Sequence, residues 1–362
     1  MNVLRWLEVA FGSLLIVVVL RDLFDSVVVP RPARGRFRPS IAFTRDGWRA
    51  WRWLGERVYS GAGRETMLGA FAPLSLIVLL AGWVIGLLVG YGLVLHGFRE
   101  ELKPIPEDLG SSFYFSGVAL LTIGFGDIVA VGPLARIIVL IEAATGLGVV
   151  ATVISLLFSL YASFQRREVG IITLDAVAGA PPSGVLLLEN SLHYGMVPHL
   201  DQLFAEWKVW SAEVLESHLA YPILNFFRSS HDNESWVSAL GAVLDAAVLV
   251  LTTIDGVPKG PARVMYSVGT HLVEDLSHFF GFSHEHEVGI ERFEFDEACT
   301  RLERAGFRLQ DPEAAWAAFI KLRSTYAISL NEMGRYWSIP PALWIGDRSN
   351  LPHRSAGSAH LS

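Results

Sequence analysis

Two long runs in this 362-residue chain carry almost no charge, and they limit its possible folds more than any other feature. Between Glu65 and Arg99 there is no Asp, Glu, Lys or Arg, and between Arg136 and Arg166 there is only Glu142. Each run exceeds the roughly 20 residues that a helix needs to cross the hydrocarbon core. In lipid the backbone must satisfy its own hydrogen bonds, so each run is expected to be a helix. The expected spans are an outer helix at 67–96 and an inner helix at 133–165. With 52% of residues apolar and 18% charged, the whole reads as an all-α membrane protein with a soluble portion.

Between the runs lies Thr122-Ile123-Gly124-Phe125-Gly126-Asp127. Successive backbone carbonyls can replace a cation's water shell if all of them face one way. That geometry needs backbone conformations that a β-carbon resists, which explains glycine at 124 and 126. The Thr122 hydroxyl would add one more oxygen. Ile123 and Phe125 would point away and wedge the strand in place, and Asp127 would sit just outside, gathering cations or bonding behind the strand. A short helix at 111–121 would precede it, capped by Ser111 and Ser112, with Glu107 and Asp108 before its N-terminus. A lone Gly-x-Gly is a weak signal, and the two flanking apolar runs are what give it meaning. One such strand cannot encircle an ion, so four chains are expected around one axis.

Residues 67–165 resemble the pore module of the bacterial two-transmembrane potassium-channel family. The resemblance rests on Gly-Phe-Gly-Asp-Ile-Val, then Gly132-Pro133-Leu134-Ala135-Arg136, then Glu142-Ala143. It implies a homotetramer holding K⁺ at residues 122–127, passive conduction, no organic cofactor and no enzymatic activity. Leu121 stands where many members have a second threonine, and Phe125 replaces the commoner tyrosine. Val118 occupies the place of an acid that pairs with the filter aspartate, so Asp127 is expected to lack that partner.

Counting from the filter puts Gly146 where many inner helices bend; close helix packing with Gly148 is the alternative. Leu147, Val150, Ile154 and Phe158 share a helical face that would line the cavity. A narrow apolar ring can close a pore by dewetting, so Ile154 and Phe158 are candidate gate residues, or simply packing residues where the helices cross. Glu142 needs a partner inside the membrane, with Ser116 within reach, and would support the pore helix or tune permeation.

Residues 30–66 hold nine arginines against three acids, whereas the loop from Arg99 to Asp108 is net acidic. Basic segments stay cytoplasmic, so the filter loop faces outward and the chain after Arg166-Arg167 is expected on the cytoplasmic side of a bacterial plasma membrane. Residues 1–29 lack the basic start and cleavage site of a signal peptide. They form a further transmembrane helix or a peripheral one. Trp48-Arg49-Ala50-Trp51-Arg52-Trp53 reads as an interfacial helix, with Arg45, Arg49 and Arg52 meeting anionic headgroups rather than nucleic acid. The alternative is a basic linker packed on the cytoplasmic domain.

A linker at 166–184 would lead into an all-helical cytoplasmic domain at 185–345 and a polar tail at 346–362. Helices are expected at 184–194, 198–229, 234–254, 261–280, 295–306 and 312–338. Trp236–Ile254 is apolar except for Asp245, and is either the buried centre of the bundle or another span. His271, Glu274 and His278 share a helix face and form a candidate metal site, beside a His284–Glu287 loop; ordinary solvated histidines are the other reading. No dinucleotide fingerprint, phosphate loop or nucleophile–base constellation is present. One cysteine, Cys299, excludes an internal disulfide framework. Two other functions fit the pattern, a weakly selective cation channel and a ligand-sensing membrane protein with a nonconducting pore.

Overall fold

The computed structural model describes residues 3–27, 39–229, 234–282, 290–339, 342 and 344. Among these are twelve α-helices, and strand is limited to two antiparallel pairs of two residues each. The chain divides into one unit of Met1–Ala162 with Ala220–Phe227, and a second of Ser163–Leu219 with Arg228 onward.

The first unit contains α1 (Val3–Val27), α2 (Pro39–Val58), α3 (Gly61–Gly97), α4 (Leu109–Leu120) and most of α5 (Pro133–Ala178). Helices α1, α3 and α5 are long and apolar enough to cross a membrane. Helix α1 lies antiparallel along α3, and small residues let the two backbones approach. A β-carbon at Gly12 would meet the Gly90 carbonyl, and one at Gly86, Gly90 or Gly97 would meet Val19, Ile16 or Val9. Polar bonds pin both ends of this pair. Arg5 donates to Glu100 (2.6 Å) and His96 pairs with Glu8 (2.9 Å). At the other end the buried Asp22 accepts from Trp83 Nε1 (2.8 Å) and Ser40 Oγ (3.0 Å). Arg21 lies 3.8 Å from Asp25 one turn along.

Ser40 opens α2, whose Trp48 is buried in an aromatic cluster with Phe71 and Phe226. Phe226 belongs to a 3₁₀ turn at Pro222–Phe226. Elsewhere on α2, Arg45 and Arg49 are exposed, as are Phe43, Leu54 and Val58. Arg31–Arg38 of the basic segment lie outside the described residues.

The second unit holds α6 (Gly184–His193), α7 (Leu200–Ala220), α8 (Trp236–Thr252), α9 (Lys259–Phe280), α10 (Arg292–Ala305), α11 (Pro312–Arg323) and α12 (Ala327–Tyr336). Every residue of α8 is buried, with α6, α9, α11 and α12 packed around it. The apolar 236–254 stretch is therefore the core of a helical bundle. Its one charge is matched: Asp245 Oδ1 accepts from Arg323 Nε (2.9 Å) and Tyr326 OH (2.6 Å). Gly184 is needed where α6 meets α8, because a β-carbon would strike the Ala242 carbonyl.

Three expectations change. The inner helix does not stop near 165. It continues to Ala178, carried by Ile171, Leu174 and Ala178 on its buried side, and ends at Gly179 (φ +78°) ahead of Pro181-Pro182. The helix expected at 198–229 ends at Ala220, because Pro222 cannot continue it. The helix expected at 312–338 is two, broken between Arg323 and Ala327. The tail at 346–362 lies outside the described residues.

Candidate functional site

Helix α4 starts one turn earlier than its serines suggest. Asp108 is the cap, accepting from Ser111 N at 2.7 Å, and this bond holds its carboxyl below the usual range. At the far end the chain leaves the helix through Leu121 N–Gly117 O, Thr122 N–Ala119 O and Ile123 N–Val118 O bonds of 2.9–3.0 Å. Beyond this point the backbone alternates. Thr122, Gly124 and Gly126 have φ of +55°, +67° and +79°, whereas Ile123 and Phe125 do not take positive values. Alternating hand turns successive carbonyls towards one side of a strand, the arrangement the sequence requires. The Thr122 hydroxyl donates to the Leu121 carbonyl (2.8 Å).

Asp127 is not without a partner. Tyr114 OH, one turn before Val118 on α4, donates to its Oδ2 at 2.8 Å. The next segment is clamped as well. Leu102-Lys103 pairs with Val129-Ala130, and the Glu101 carbonyl accepts from Val131 N (2.8 Å) and Gly132 N (3.1 Å). The Glu101 carboxylate accepts from Ala135 N (2.9 Å) in the first turn of α5 and fills the space a β-carbon at Gly132 would need. Sequence reasoning missed both Tyr114 and Glu101. Glu101 registers in the sequence only as part of an acidic loop, and nothing local marks it as a cap for a helix 32 residues away.

Behind the strand, Ser116 Oγ lies 2.5 Å from Glu142 Oε1 and 2.9 Å from the Leu88 carbonyl, joining α4, α5 and α3. Glu142 is fully buried, and its Oε2 has no partner among the described residues. Tyr91 and Thr145 bond across the same helices at 3.0 Å. Gly146 lies against the Leu120 carbonyl so closely that a β-carbon would overlap it. Helix α5 is unbroken there, so the structure supplies a packing reason for this glycine.

In the membrane part of α5, Ala135, Glu142, Val149 and Leu156 are buried at seven-residue intervals along one stripe, with Gly146 and Leu160 buried as well. On another face Leu147, Val150, Ile154 and Phe158 are exposed, Phe158 by 75%. Ile123 and Phe125 are also largely open, and a β-carbon at Gly124 or Gly126 would touch nothing. The strand and the candidate cavity face thus lie uncovered by their own chain.

His271, Glu274 and His278 are exposed on α9, and His271 lies 3.6 Å from Asp275. Among the described residues no three His, Cys, Asp or Glu side chains converge as a metal site. His284–Glu287 lie outside those residues.

Residues 74–163 match a family model described as an ion channel. The chain is also 27% identical over 215 residues to YdjJ, an uncharacterized membrane protein of Bacillus subtilis (strain 168). The matched region is 58% of this chain and 61% of that protein's length. No solved structure matches.

Proposed function

We propose that this chain, with an ion-channel module at residues 74–163, is a potassium-selective channel. It works as a homotetramer in a bacterial plasma membrane and conducts passively. The observation that carries this reading is the alternating backbone at Thr122, Gly124 and Gly126, with open space where β-carbons at the two glycines would lie. Four such strands around one axis would form a column of oxygens for dehydrated K⁺, with Asp127 at its outer mouth. Fourfold assembly would also cover the exposed residues of α5, which a monomer leaves as a large apolar surface.

In this scheme Leu147, Val150, Ile154 and Phe158 face the cavity below the filter, and Ile154 with Phe158 form the narrow gate. Glu142 holds the pore helix through Ser116. The second unit is cytoplasmic and acts on the gate through α5, which supplies residues to both units. Arg45, Arg49 and Arg52 of α2 meet anionic headgroups.

The test is ion flux through liposomes holding the purified chain, with Gly126→Ala as control, since a side chain at φ +79° is strained. Potassium flux that greatly exceeds sodium flux and disappears in the variant supports the reading. Equal fluxes of the two ions point to a nonselective channel. A Gly126→Ala variant that keeps the cellular role intact points to a sensor with a retired pore.

A further inference from the structure

Helix α5 is far longer than a membrane requires. Its 46 residues measure about 69 Å at 1.5 Å per residue, against about 30 Å of hydrocarbon. The extra turns fall after Arg166 and Arg167, and they have two different sides.

One side is bound to its own unit. Arg167, Ile171, Leu174 and Ala178 are buried, and Gly170 is pressed so close to Trp210 that a β-carbon would overlap the indole. The opposite side is open. Val169 is 61% and Ile172 46% exposed, and Gln165 and Ala176 are exposed too. Two branched apolar side chains on one open stripe of a charged region call for a covering partner.

The position of the stripe identifies that partner. At 100° per residue, Leu147, Ile154, Phe158, Gln165, Val169, Ile172 and Ala176 fall within about 60° of one another. The side left open below the membrane is therefore the same side that carries the candidate cavity and gate residues. If four copies bring Ile154 and Phe158 to one axis, an unbroken helix brings Val169, Ile172 and Ala176 to that axis as well.

We propose that residues 165–176 form a parallel four-helix coiled coil with the same segment of three further copies, directly below the gate. The proposal rests on the tetrameric reading. Its core positions step 158, 161, 165, 169, 172 and 176, so that 158 and 169, 161 and 172, and 165 and 176 are each eleven apart. Eleven residues in three turns is close to the natural helix period, so the bundle is straight or slightly right-handed. Gln165 is its one polar layer, and a polar core residue fixes register at some cost in stability. The bundle would hold the four gates in register and carry a rotation of any second unit to all four inner helices.

The experiment uses the full chain with Cys299→Ser, so that no native thiol interferes. Ile172→Cys and Val169→Cys are placed singly on the open stripe. Thr300→Cys, exposed on α10 and away from the stripe, is the control. Phe158→Cys reports on the gate. Mild oxidation in membranes is expected to give a covalent dimer at 172 and at 169 and none at 300. A dimer at 158 with none at 172 or 169 overturns the coiled coil and leaves the tetramer standing. Equal dimer formation at 172 and 300 overturns it also, as random collision. No dimer at any position, with a detergent-solubilised mass of one chain, removes both readings.

Discussion

Gly146 separates two accounts of the inner helix, and alanine at this position distinguishes them. A hinge glycine replaced by alanine stiffens the helix and gains about 1 kcal/mol in intrinsic preference. In the structure, however, the new methyl would occupy the place of the Leu120 carbonyl. That oxygen belongs to backbone, which cannot swing aside as a side chain can. Overpacking of this kind costs about 1–3 kcal/mol, and against a backbone atom the upper end applies. After subtracting the helical gain, Gly146→Ala should destabilise by about 1–2 kcal/mol, which lowers the melting temperature by several degrees for a chain of this size. Leu120 is two residues before Thr122, so the displaced pore helix carries the strand with it and flux falls. Gly82→Ala on α3 is the internal reference, because its β-carbon meets nothing within 4 Å. Thermal unfolding of both variants in detergent, followed by tryptophan fluorescence, gives the comparison. A Gly146→Ala protein as stable as Gly82→Ala, with flux retained, refutes the packing argument and restores the hinge.

Removing the Tyr114 hydroxyl with Tyr114→Phe frees Asp127, and conduction should decay faster after K⁺ is lowered; an unchanged time course in a flux assay contradicts this. Arg323→Met strands the buried Asp245 carboxylate with only Tyr326, at a cost of about 3–5 kcal/mol. Adding Asp245→Leu should recover much of the lost melting temperature, since no buried charge is then left unpaired. His218 is fully buried, and its Nε2 lies 3.1 Å from Arg167 Nη1, which can only donate. Burial first, then the Arg167 charge, holds its pKa well below 6.5. The folded chain then binds fewer protons than the unfolded one. This contribution is complete above pH 6.5 and is lost as pH falls, by about 1.4 kcal/mol per unit. Melting curves of wild type and His218→Gln between pH 7.5 and 5 should diverge accordingly; parallel curves contradict it.

The parts of the fold that a local pattern dictates were legible in the sequence. Charge-free runs gave α3 and the membrane part of α5, and Gly124 and Gly126 marked two positions whose left-handed backbone a β-carbon disfavours. Pro222 and Gly179 end helices as their chemistry requires, but the helix before Pro222 was expected to run on to 229 and the helix before Gly179 to end sooner. Contacts between distant residues were not legible. The Tyr114–Asp127 bond depends on how far the strand folds back along α4, and the role of Glu101 depends on the loop meeting the start of α5. Helix α8 shows the same limit from another side. Its composition suits lipid and protein interior equally, and only the helices around it reveal which one it meets.

The central claim is that backbone oxygens of residues 122–126 select potassium, and the most direct measurement is the reversal potential of single channels in a planar bilayer. With K⁺ on one side and Na⁺ on the other, the account predicts a reversal potential close to that of a purely potassium-permeable membrane. It also predicts loss of that preference in Gly124→Ala, whose φ of +67° resists a side chain. A reversal near zero in the unaltered protein would contradict it.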